Sequence, residues 1–183
     1  MSQKLDRKVF NSFMSHLSAI TTLMKAGNDT HAIALIYSAI DHMSWLNAAG
    51  EPGGSGFKAW VNNFLLNGKA FAFNAEDLWA ARCAILHTGA AESDLYRAGK
   101  AKLVYYVVGE SQADESLLNP VLTAYAIPRS QVVMVDYHWL STEFIKALER
   151  FQAHLLADAT AHSRAAQKAA MQLVFQASSR TQS

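Results

Sequence analysis

Between Asp29 and Asn47 lies a helical run that is apolar on every side, because Ile33, Leu35, Ile36, Ile40, Met43, Trp45 and Leu46 do not gather on one stripe. Such a helix cannot lie at a surface, where one face must meet water, so other elements have to surround it. Its end signals are Asp29 or Thr30 as the cap at the start and a stop near Asn47. Asp41 is the one acid inside the run, one turn after Tyr37, and a carboxylate placed there needs a donor.

The flanking sequence can supply the cover. Phe10, Phe13, Leu17, Ile20 and Leu23/Met24 recur at spacings of three and four, which predicts a long amphipathic helix over 3–26, ended by Gly27-Asn28-Asp29. Glu51 to Gly56 is read as a flexible connector; it lacks the G-K-[ST] of a phosphate loop. Phe57 to Leu66 predicts a short helix with Trp60, Val61 and Phe64 inward, broken by Asn67-Gly68. Leu103 to Val108 and Gln131 to Val135 carry the two β signals, with a short helix expected over Glu115 to Ala126 between them. From Tyr137 onward Phe144, Leu148, Phe151 and Leu155 mark a long C-terminal helix. An amphipathic arm through Met171, Val174 and Phe175 extends it, and the last residues from Ser178 are read as frayed. The expected class is mainly α, with a small two-stranded β insertion at about 102–136 and a long C-terminal helix. One domain over 1–158 would carry an extension over 159–183.

Asn74 to Gly89 has the best-marked ends in the chain. Asn74 is placed as the N-cap, Asp77 as its reciprocal partner, and Gly89 as the left-handed close. Leu78, Arg82 and Ile85 share one stripe, and Trp79, Cys83 and Leu86 the next. Arg82 therefore sits in an apolar band. A guanidinium is costly to bury, so it needs a carboxylate or an anionic ligand, and Asp41 is the candidate partner. His87 lies in the last turn, where the carbonyl end of the helix favours an imidazolium. Five residues place it about 140° round the axis from Arg82, so convergence relies on the length of Arg82 or on a two-fold contact between copies.

Arg82, four residues, then His87 near a helix end resembles the R-x4-6-H signature of the HEPN superfamily. Ile36-Tyr37-Ser38-Ala39-Ile40-Asp41 resembles the Y-S-x-I-D of an earlier helix in bacterial HEPN-like proteins, and the likeness continues through Leu86-His87-Thr88 to Ser93, Gly99, Lys100 and Ala101. It covers about residues 30 to 108. The resemblance implies an antiparallel helical bundle and a homodimer that cleaves RNA without metal to leave a 2′,3′-cyclic phosphate. Arg82 and His87 would be catalytic, with Asp41, Tyr37 and Thr88 in support. A toxin or defence role, with an antitoxin partner, would follow. Cys83 stands where many active members carry a polar residue, which favours a second reading: a catalytically silent module that holds a nucleotide or a partner. A third reading is a structural helical dimer in which Asp41 fully satisfies Arg82.

Sixteen basic and fifteen acidic residues leave a formal charge of +1, so RNA contact must come from a local patch. Ser93, Arg97, Lys100 and Lys102 follow His87 and are the candidates for flanking phosphates. Tyr96, Tyr105 and Tyr106 are read as core or sheet residues before base-stacking ones. The lone Cys83 excludes an internal disulfide and is expected to be an inert packed thiol. The seven histidines offer no i, i+4 pair and no H-E-x-x-H, so neither metal nor cofactor is implied. No uncharged apolar run reaches about 18 residues, and a cytoplasmic protein without membrane contact is the expectation.

Overall fold

Helix α2 (Asp29–Asn47) is the buried centre that its composition demands. In the computed structural model, which describes residues 4–51, 53–89, 91–109 and 115–171, it touches five other helices. These are α1 (Arg7–Lys25), α3 (Gly53–Trp60), α4 (Ala75–Thr88), α7 (Tyr137–Ala157) and α8 (Ala159–Ala170). Ala32, Ile33, Ile36, Tyr37, Ala39, Ile40, Met43 and Leu46 of α2 are all buried. The described residues are mainly helical, with a small two-stranded sheet and a long helix toward the C-terminus.

Helix α1 starts later than the periodicity predicts, because Asp6 caps it by accepting from Lys8 N at 2.8 Å and Val9 N at 3.3 Å. Val9, Phe13 and Ile20 define its inward line, and Phe13 stacks on Phe151 of α7 at 5.7 Å. Phe10 falls to one side of that line and is 45% exposed, which corrects its expected inward place. At the start of α2 the cap position belongs to Asn28, with Asp29 already in the first turn.

The glycine-rich segment is not a free connector: helix α3 already begins at Gly53. A Cβ added at Gly54 would meet the Trp79 ring at 2.8 Å, so the glycine lets α3 pack directly on α4. After Trp60 the helix widens into a π-helical turn over Val61–Leu66, which Asn67 closes in the left-handed region at φ 48°. Arg150 of α7 donates to the Phe64 carbonyl of that turn at 2.6 Å and to the buried Glu143 at 2.6 Å.

Strands β1 (Leu103–Val107) and β2 (Val132–Asp136) pair in parallel, with Leu103 opposite Val132 and Val107 opposite Asp136. A parallel pair needs a crossover. Helix α6 (Asn119–Tyr125) lies within it, shorter than the expected helix because Glu115–Leu117 is a 3-10 turn. Val104, Val133 and Val135 join the main core, while Leu103, Val107, Val132 and Met134 pack with Leu118 on the other face. Burial on both faces is what lets two strands suffice.

Asp136 ends β2 and caps α7 through Trp139 N at 2.8 Å, so strand and helix join with no loop. Phe144, Leu148, Phe151 and Leu155 are buried as their spacing predicts. The chain then breaks at Asp158, which accepts from Thr160 N at 2.9 Å and Ala161 N at 3.0 Å. The arm is thus a separate helix, α8, whose Ala161, Ala165 and Ala169 enter the same core. Near its end Lys168 Nζ donates to the carbonyls of Trp45 at 2.6 Å and Ala48 at 2.8 Å, closing the C-terminus of α2. Val174, Phe175 and the residues from Ser178 lie outside the described residues. Among the described residues no helix is long and apolar enough to cross a membrane.

Candidate functional site

Helix α4 positions the site, and its caps form as the sequence predicts. Asn74 Oδ1 accepts from Glu76 N at 2.8 Å and Asp77 N at 3.1 Å, while Asp77 Oδ2 accepts from Asn74 N at 3.0 Å. Gly89 closes the other end at φ 65°. Asp77 Oδ1 also accepts from Lys102 N at 2.7 Å, fixing the start of β1 to the start of α4.

Arg82 reaches Asp41 on α2, with Nε at 2.7 Å and Nη2 at 2.5 Å from Oδ2. Its Nη1 lies 2.9 Å from His87 Nε2, so the length of the side chain spans the angle between the two positions. Trp79, one turn earlier, places its ring centroid 5.0 Å from the guanidinium carbon. The side chains of Arg82 and Asp41 are 17% and 29% exposed, and His87 is exposed. The chain of three residues therefore runs from the side of the core out to solvent.

A guanidinium only donates, so His87 Nε2 must accept. That leaves Nδ1 as the ring's donor in this contact. Cys83 follows Arg82 on the same helix. Burial pushes its thiol above the usual value, against the pull of the Arg82 hydrogen bond and charge, so it stays protonated at neutral pH.

The other expected site residues are distributed. Tyr37 is fully buried and its hydroxyl meets that of Tyr106 at 2.5 Å, tying α2 to β1; burial pushes this phenol well up. Ser93 is buried and caps the short helix α5 (Asp94–Arg97) by accepting from Tyr96 N at 3.2 Å. Arg97 is exposed and paired with Asp94, and Lys100 is exposed. Lys102 Nζ turns to the Ala72 carbonyl at 3.3 Å. Its backbone is anchored at Asp77, ten residues before His87, or about 15 Å along the helix. The structure joins Asp41, Arg82 and His87 but does not gather Lys102 beside them. The side chain of Thr88 lies outside the described residues.

Two features escaped the sequence reading. Trp79 under Arg82 was open to detection, since a Trp three residues before an Arg on one helix is placed for such a contact. His16 Nε2 and His42 Nδ1, on separate helices, lie 2.8 Å apart, and no spacing rule joins them. Burial lowers both rings below the usual imidazole value, His42 to about 4 with the His16 charge as a second cause. Among the described residues, no three of His, Cys, Asp and Glu gather as metal ligands.

No protein-family model matches the chain, and no curated protein and no solved structure is detectably similar to it. The likeness to HEPN proteins therefore rests on the residues themselves.

Proposed function

We propose that this protein is a metal-independent RNA endonuclease that works as a homodimer, of the toxin or defence type with an antitoxin as its partner. The observation that carries the reading is the linked Asp41, Arg82 and His87, which ends at an exposed imidazole. Asp41 holds the guanidinium through Nε and Nη2, which leaves Nη1 to meet a phosphate, and Trp79 supports its face. When Arg82 Nη1 turns to a phosphate oxygen, His87 Nε2 is released. It then takes the proton of the ribose 2′-OH as that oxygen attacks phosphorus. The P–O5′ bond breaks, and the partner's His87, protonated on Nε2, gives its proton to the leaving oxygen. A 2′,3′-cyclic phosphate and a 5′-hydroxyl result. The chemistry needs two imidazoles, which is why a second copy enters the mechanism.

Single-stranded RNA incubated with the protein in EDTA should be cut, and Arg82→Ala or His87→Ala should each slow cutting by at least about 100-fold. Intact RNA with the unaltered protein would sink the proposal. Two observations favour a silent binding module as the second reading: Nε2 is occupied by Arg82, and an inert Cys83 follows the arginine. Under it RNA binds without being cut, and Arg82→Ala weakens the binding.

A further inference from the structure

A cavity of about 290 Å³ lies where α2, α4 and β1 meet. Ile33, Ala81, Ile85 and Val104 give it apolar walls, and Thr30 and Tyr105 are also among its lining. Gly89 and Ala91, both exposed, stand at its mouth. Arg82 meets Asp41, whereas Ile85 and Gly89 share the cavity with Ile33 and Thr30, so α2 and α4 run antiparallel here. The cavity thus runs along α4 from Ala81, next to Arg82, past Ile85 to Gly89, about 12 Å. Its volume is at the small end of ligand sites and has room for one ring system.

We propose that this cavity holds the base of the nucleotide adjoining the phosphate that Arg82 grips, a subsite that rests on the RNA reading of the site. A flat base has apolar faces, which match the aliphatic walls, and the cavity starts beside Arg82, where the adjoining phosphate would lie. A sugar or a free phosphate does not match those walls.

Nucleosides lacking phosphate separate this proposal from cleavage. Adenosine, guanosine, cytidine and uridine would each be titrated into protein with labelled isoleucine methyls. At least one should shift Ile33 and Ile85 and bind Arg82→Ala as tightly as the unaltered protein. Ala91→Trp at the exposed mouth should weaken that binding by at least about tenfold. No shift at Ile33 and Ile85 with any nucleoside overturns the proposal, a readout that needs no variant to fold. So does undiminished binding to a folded Ala91→Trp. Nucleoside binding with RNA left intact sinks the nuclease and keeps the base site. Cutting that Ala91→Trp leaves unchanged, with no nucleoside bound, does the reverse.

Discussion

Arg82 holds Asp41 through two nitrogens and His87 through a third. A lysine carries one compact charge and cannot bridge both partners. Arg82→Lys should therefore keep the fold, seen as an unchanged circular dichroism spectrum, yet lose most of the proposed RNA cutting that Arg82→Ala would remove. The His16 and His42 pair gives a pH effect of definite sign. Both rings are held below their unfolded value of 6.5, His42 at about 4, so the folded state binds fewer protons than the unfolded chain. The pair's contribution is fully present above pH 6.5 and is lost as pH falls toward 4. Solvent at the partly exposed rings reduces the loss to on the order of 1–2 kcal/mol. Denaturant titrations across that window should show the decline, and His42→Gln should flatten it; an unchanged slope would refute the assignment. At this scale the sequence disclosed what a single residue's chemistry demands. Arg82 needed a carboxylate and Asp41 needed a donor, and the two meet. The histidines carry no such demand, so their meeting across 26 positions left no trace in the order of residues.

Helix α4 was the most legible element because both of its ends are set by local side chains, Asn74 with Asp77 and Gly89. Asn74→Ala should lower stability by about 1 kcal/mol, measurable by thermal or chemical unfolding. The glycine-rich stretch misled because glycine permits a turn and close packing alike, and only the Trp79 ring decides between them. Gly54→Ala would push against that ring. We expect a loss of about 1–3 kcal/mol and, under the proposed function, slower RNA cutting, since Trp79 supports Arg82. Full activity and stability in Gly54→Ala would mean that α3 and α4 yield without consequence. The sheet was legible as two β signals, but its parallel register depends on a crossover that sequence spacing does not specify.

At the scale of the whole molecule, the all-round apolar character of α2 already implied a surrounded helix, and five neighbours surround it. Which helix covers which face was not legible, because that follows from packing of distant segments such as Phe13 on Phe151. Glu143 illustrates the same point: burial would raise its carboxyl, yet the hydrogen bond and charge of Arg150, with Lys69 and Lys146, hold it below the usual value. Arg150→Met would leave that carboxylate and the π-turn carbonyl short of a donor, at a cost of about 3 kcal/mol in unfolding experiments. Lys168 extends the theme to the end of the described chain. The carbonyls it closes, at Trp45 and Ala48, were made 123 and 120 residues earlier. On the ribosome the central helix must therefore wait, its last turn open to water, until Lys168 has left the exit tunnel.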